Sequence, residues 1–327
     1  MEDERRVGRW FEIHGARFGL LGHPVLCRAV LNLGGFVNRS FTVADGRRLL
    51  HVKLASAENA PGLRRWATLH RRLETDHRAP RLLGAIEGTD MAGEALALIF
   101  EHVPGRAPNP LRDRAALVEA LAAAAALHGD RGLEAALGGP GEGRTCADDL
   151  IETYVDRLRA DMEVVVPAVL DFLPDGFAAW ARREIDALEA AARDTPAFAA
   201  PAAAVVHGDL HTGNLLLGED GRLWLLDWDD LHAGGDGALD AANLLRPLLL
   251  RGGGEDLFAA YARLAGDPGA AERVPLYCRA MLLDEVVDSL ADFVEAEALP
   301  GHREAVRTLK RNAHSEALAA YRREYGD

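Results

Sequence analysis

Polar and apolar positions along the chain follow a strand period first and a helix period later. Arg28 to Leu33, Phe36 to Val43 and Arg47 to Leu54 read as strands, the last two separated by Asp45-Gly46. Asp-Gly between two β-like runs predicts a tight hairpin with both central residues at positive φ. In its second arm Leu50, Val52 and Leu54 share one face, and His51 and Lys53 the other. A short helical segment, Trp10 to Leu21, precedes these strands. Pro61 opens a longer helix in which Leu63, Trp66, Leu69 and Leu73 recur at helical spacing. Two more strand-like runs, Arg81 to Ile86 and Ala95 to Phe100, end at Glu101-His102-Val103-Pro104-Gly105, where Pro-Gly predicts a hinge.

Beyond that point the pattern is helical: Asp113 to His128, about 147–172, 176–194 and most of 255–325. Two short apolar runs interrupt it, Ala204-Val205-Val206 and Leu223-Trp224-Leu225-Leu226. Sheet first and helices later, with one hinge between, predicts a two-lobed α+β arrangement, an N-terminal lobe over 1–102 and a C-terminal lobe over 103–327.

Composition narrows the function. Hydrophobic residues at 49% and charged residues at 27% exclude disorder as the main state. A net charge of −14 repels phosphate backbones, so no nucleic-acid partner is expected. Of 37 basic residues only Lys53 and Lys310 are lysines, and a lysine kept against such a bias is a candidate for chemistry. Cys27, Cys146 and Cys278 are too scattered for a disulfide framework or a Cys-x-x-Cys metal site. With no signal-like start and no apolar run of spanning length, a cytoplasmic protein without membrane partners is expected.

Chemistry concentrates in Val205 to Asp230. Two apolar strands joined by Gly218-Glu219-Asp220-Gly221 predict a hairpin, with Asn214 entering its first strand and Asp227 leaving its second. Antiparallel pairing sets those ends side by side. An amide oxygen beside a carboxylate offers hard oxygen ligands suited to Mg²⁺, and Asp209, five residues before Asn214, supplies a further acid at the same place. A carboxylate to orient a hydroxyl, oxygen ligands for a phosphate-bridging metal and a cation for the phosphates are what phosphoryl transfer requires.

His207-x-Asp209-x-x-x-x-Asn214 followed by Leu226-Asp227-Trp228-Asp229 resembles the catalytic and metal-binding segments of the protein-kinase-like superfamily, in the form found in the aminoglycoside phosphotransferase and choline kinase branch. The resemblance spans most of the chain. It implies a small antiparallel sheet lobe with a larger, mostly helical lobe. It also implies a kinase using ATP or GTP with Mg²⁺, acting on a hydroxyl of a small molecule. By it, Asp209 is the catalytic acid-base and Asn214 and Asp227 hold the metal. Lys53 steadies the phosphates, Gly34, Gly35 and Asn38 form the nucleotide-covering turn, and Glu101 and Val103 belong to the hinge against the nucleotide. Gly235-Asp236-Gly237-Ala238-Leu239-Asp240 resembles the family's Gly-Asp-Pro…Asp element with Gly for Pro. One feature departs from the family. Its lysine pairs with a Glu on the following helix, where this chain has Trp66, with Glu58 too early and Glu74 too late.

Gly208 stands where protein kinases carry an Arg, and only some ten residues separate Asp227 from the next helix, so no platform for a polypeptide substrate is expected. Acidic residues, Asp229 and Asp230 after the metal site and Asp284 and Asp288 in a four-residue stripe ending at Asp292, are candidates for an aminated acceptor such as an aminoglycoside, amino sugar or choline-like amine. The plainer reading of that stripe is a solvated outer face. Two other functions use the same residues: a nucleotide-binding pseudokinase module, suggested by the missing helix Glu, and a metallophosphoesterase with His207, Asp209 and His211 on a transition metal.

Overall fold

A computed structural model of the chain describes residues 2–30, 38–88, 91, 93–139, 141, 143–168, 170–298 and 303–326. In chain order its elements begin α1 (Glu2–His14), β1 (Leu26–Val30), β2 (Arg39–Ala44), β3 (Leu49–Ala55), α2 (Ala60–Asp76), β4 (Leu82–Glu87), β5 (Leu96–Glu101) and β6 (Gly105–Arg106). They continue α3 (Arg114–His128), α4 (Arg131–Ala136), α5 (Cys146–Leu150), α6 (Arg157–Val165), α7 (Phe177–Asp194), β7 (Ala204–Val206), β8 (Leu215–Gly218), β9 (Leu223–Leu225) and β10 (His232–Gly235). Four helices close the chain: α8 (Gly237–Leu249), α9 (Glu255–Ala265), α10 (Ala270–Glu295) and α11 (Arg303–Tyr325). Two compact units result, residues 1–123 with 207–231, and residues 124–206 with 232–327. These divide the chain differently from lobes in chain order, because residues 207–231 group with the N-terminal sheet.

The first unit is built on an antiparallel sheet of order β1-β2-β3-β5-β4. The alternation expected for β3 is realised: Leu50, Val52 and Leu54 enter a core with Phe41, Val43, Ala97 and Ile99, against Val7 and Phe11 of α1. Leu98, Phe100, His51 and Lys53 take the opposite parity of β5 and β3. There Trp66 of α2 packs on Phe100, ring centroids 4.6 Å apart. The first helix begins at Glu2 rather than Trp10, since Glu2, Asp3 and Glu4 suit the positive end of a helix. It stops before the 3-10 turn Gly15–Phe18, where Gly19 takes φ 81°.

The β2–β3 turn corrects the expected two-residue form. Gly46 alone has positive φ (83°), and the loop runs over 45–48 with Asp45 N–H donating to Arg48 O. The Asp45 carboxylate instead accepts from the N–H groups of Leu21, Gly22, Arg47 and Arg48, which holds its pKa far below the ordinary range. At the expected hinge, Pro104-Gly105 leads straight into β6, which pairs with β8. A Cβ on Gly105 would lie 2.5 Å from Leu217 O, so only glycine permits that approach.

The second unit is mostly helical, with α10 packed by α6, α7, α8 and α11. The stripe on α10 is therefore no solvated face: Asp284 and Asp292 are buried, because neighbours surround α10 and a four-residue spacing also points inward. Arg157 and Arg246 meet Asp284, and Lys310 meets Asp292. Between them burial, then Asp284 and Asp292, push the Asp288 pKa up to about 7. Asp236 caps α8 by accepting from Ala238 N–H, and its carboxylate also receives the buried Arg273 at 2.9 and 3.0 Å and the Tyr277 hydroxyl. Glycine replaces proline at 237 for a steric reason. A Cβ there would meet His128 Nδ1 at 2.5 Å and Tyr261 Oη at 2.7 Å, and His128 is held by Tyr261 and Asp240. The strand β10, paired with β7, had no legible signal in the sequence.

Candidate active site

The expected hairpin forms as β8 and β9, with Leu215 opposite Leu225 and Leu217 opposite Leu223. At its mouth Leu226 N–H donates to Asn214 O at 2.8 Å, which brings Asp227 beside Asn214. His207 and Trp228 fasten this end from within: both are fully buried, their rings 4.7 Å apart, with His207 Nε2 at 2.8 Å from Leu226 O and Trp228 Nε1 donating to Leu225 O. A buried ring so engaged is structural rather than a metal ligand. Among the described residues no group of three His, Cys, Asp or Glu side chains is arranged to hold a metal ion.

Gly208 sits at φ 86°, and a Cβ there would lie 2.5 Å from Asp230 O. No other residue fits, which excludes the Arg of protein kinases on backbone grounds. Asp209 then projects half exposed. Its Oδ2 accepts from Asn214 Nδ2 at 2.8 Å, and the same amide nitrogen donates to Asp209 O at 2.9 Å. What burial Asp209 has works against its charge, but His211, 3.6 Å away, and Asn214 outweigh it and hold the pKa below the usual carboxylate range. His211 is itself fixed by accepting from Gly213 N–H at its Nδ1.

Asp227 takes a left-handed backbone, φ 63°, a conformation rare for a non-glycine residue. It meets Lys53 Nζ directly. Lys53 also donates to Asp229 Oδ1 and Oδ2 at 2.8 and 3.0 Å. Burial opposes the lysine's charge, yet Asp227 and Asp229 overcome it and raise its pKa. The reverse holds for Asp229: burial first, then Asp227, raise its pKa to about 6 against the pull of Lys53. Burial, then Asp229 and Asp209, raise that of Asp230 as well. On the same face of β3, burial followed by Lys53 and His102 lowers His51 to about 4.

The structure thus gathers Lys53, Asn38, Asp209, Asn214, Asp227 and Asp229 in one unit. Asn38 engages Asp229 Oδ2 at 2.6 Å. Gly34 and Gly35 lie outside the described residues. Glu101 ends β5 with its side chain exposed and its N–H donated to Arg81 O, and Val103 follows it. Asp284 and Asp288 belong to the second unit. Sequence reasoning missed Arg65, whose guanidinium donates to Asp229 O at 2.6 Å, and Gly62, where a Cβ would lie 2.6 Å from that oxygen. Trp66, noted only for what it displaces, lies with its ring 5.7 Å from Lys53 Nζ.

A family model described as the APH phosphotransferase enzyme family matches residues 29–277. No curated protein matches the chain. Among solved structures the chain is similar to the GDP and kanamycin complex of APH(2")-IIia, at 16% identity and a TM-score of 0.61 over 95% of this chain and 98% of that one. It is also similar to a thermostable mutant of aminoglycoside phosphotransferase APH(4)-Ia in its apo form, at 18% identity and a TM-score of 0.60 over 99% and 100%. A ternary complex of that protein with ADP and hygromycin B gives 18% and 0.58 over 96% and 98%. These likenesses establish a kinase-like fold of the aminoglycoside phosphotransferase type.

Proposed function

The chain belongs to the phosphotransferase enzyme family and is a small-molecule kinase, and from that premise we propose that Asp209, Asn214, Asp227 and Lys53 carry the transfer of a nucleotide γ-phosphoryl group to a small-molecule hydroxyl. The observation that supports this most is the joining of Asp209 to Asn214, and of Asp227 to Lys53, at one mouth of one hairpin.

Asp209 orients the acceptor hydroxyl and receives its proton. A carboxylate held below its ordinary pKa is a weak base toward a free alcohol. That suffices where the transferred group is largely detached before the new bond forms, because the hydroxyl proton becomes acidic only late. Positioning and charge neutralisation therefore supply most of the acceleration. Lys53 is the cation for the nucleotide phosphates, and Asn38, with Gly34 and Gly35, covers them. Glu101 and Val103 border the base.

The donor set suits magnesium. Asn214 commits its amide nitrogen to Asp209, which turns its Oδ1 to the other side of the amide, and Asp227 adds a carboxylate beside it. When bound there, magnesium would neutralise phosphate charge. Solved relatives hold GDP or ADP, which fits use of either ATP or GTP here.

Asp229 is taken up by Lys53 and Asn38, and Asp284 and Asp292 carry cations of their own. This supports an acceptor that is a small hydroxyl compound with few amines over a polycation. The helix acid whose absence motivated the pseudokinase reading is absent from α2, but Lys53 meets carboxylates from another segment, which favours the enzyme reading.

Asp209→Asn should lower kcat by about 10³-fold while calorimetry shows nucleotide affinity unchanged. Turnover is to be read on a panel of an aminoglycoside, an amino sugar, choline and a neutral sugar. Retained turnover in the variant, or no transfer and no nucleotide hydrolysis by the native protein, would overturn the assignment.

A further inference from the structure

We propose that Asp229 is the positioning residue of Lys53, doing from the segment after β9 what a carboxylate on α2 would otherwise do; the proposal rests on the phosphotransfer reading above.

An ammonium as buried as that of Lys53, with 7% of its side chain exposed, needs a fixed counter-charge. Helix α2 presents Trp66 to it instead of an acid. An aromatic face attracts a cation but offers no hydrogen-bond acceptor, so it leaves the direction of the N–H groups unset. Asp229 sets that direction, meeting Nζ with both oxygens. Its carboxylate is held in turn by Asn38 Nδ2 on Oδ2.

Helix α2 is still coupled to the lysine, by a different route. Its first turns lie against the backbone of residue 229, where Arg65 donates to the carbonyl oxygen and Gly62 leaves room for it. The elements tied together are therefore β3, α2 and the segment after β9, with the carboxylate moved from α2 to that segment. The move has a use. Asp227 contacts Lys53 as well, but it is also the carboxylate assigned to magnesium. A second acid, outside that donor set, keeps Lys53 in place whatever engages Asp227.

The chain's two lysines make the test simple. Protein labelled with ¹⁵N-lysine gives two ammonium signals, assigned by Lys310→Arg. In Asp229→Asn the Lys53 signal should shift or broaden, and the affinity for the magnesium complex of AMP-PNP, measured by calorimetry, should fall about tenfold or more. Adding Trp66→Glu to that variant should restore most of the affinity, an outcome that a merely structural role for Asp229 does not give. An unchanged Lys53 signal with unchanged affinity in a folded Asp229→Asn protein would overturn the proposal. Should that variant fail to melt cooperatively, Asp229→Glu decides. A retained Lys53 signal supports the proposal, and a loss of affinity equal to that of Lys53→Met overturns it. If the native protein binds no nucleotide, the phosphotransfer reading fails, while the lysine signal still reports on the counter-ion.

Discussion

Each of the two lysines meets carboxylate from another element, but in different surroundings. Lys310 on α11 meets Asp292 on α10, both side chains 12% exposed, one cation to one acid, and the pair joins two helices of the second unit. Lys53 meets two acids, one on a left-handed backbone beside Asn214 and the other braced by Asn38 and Arg65. The difference teaches that rarity and burial do not distinguish the lysine proposed for the phosphates from a structural one. At Lys53 two carboxylates face one cation, which suits the metal and phosphate roles proposed for Asp227 and Lys53.

Removing each lysine is the sharpest way to break that comparison. Lys53→Met should reduce kcat/KM by about 10²-fold or more, whereas Lys310→Met should leave kcat/KM of the folded protein unchanged. The latter should still cost roughly 2–4 kcal/mol of stability by stranding buried Asp292. A turnover loss in Lys310→Met, measured on protein shown to be folded, would erase the distinction. Next in size is Gly208→Ala. A Cβ at positive φ and 2.5 Å from Asp230 O forces the loop to move, so about 1–3 kcal/mol of stability and much of the activity should go together. Thermal melting and kcat, compared with the open Gly46→Ala, check it, since a Cβ on Gly46 meets nothing.

The smallest effect on turnover is expected in the second unit, where pH acts on stability. Asp288 titrates near 7 when folded and near 3.8 as a free group, so the native state holds the extra proton between those values. Its contribution to stability is full below about pH 4 and is lost as pH rises through 7. Asp288→Asn should flatten that decline and raise the melting temperature at pH 8. Chemical denaturation of both proteins at pH 5 and 8 reads the difference. An equal decline in the variant would move the effect to Asp161, which burial raises to about 6.

Much of the candidate site's local geometry was legible beforehand, for a reason particular to it. Asp209, Asn214 and Asp227 lie within nineteen residues, on a hairpin whose apolar runs and turn residues are local signals. The stripe of Asp284, Asp288 and Asp292 was legible as a stripe but not as a buried one. Helical spacing says which residues share a face and says nothing of what lies against it, and α10 has neighbours on several sides. The β2–β3 loop misled similarly, because the Asp45 side chain replaced the backbone geometry that Asp-Gly suggests with hydrogen bonds to Leu21 and Gly22.

Local order along the chain determined the strands of the N-terminal sheet, the helical character of the rest, the hairpin and the three polar residues at its mouth, since each depends on spacings of a few residues. Tertiary structure alone decided that Lys53 rests on Asp227 and Asp229, that Trp66 faces it from α2, that Gly237 yields to His128, and that residues 207–231 group with the N-terminal sheet. Partners 174 and 176 positions apart carry no periodic signal. What selects them is the cost of burying a charge unpaired, and that cost exists only once the chain has closed around it.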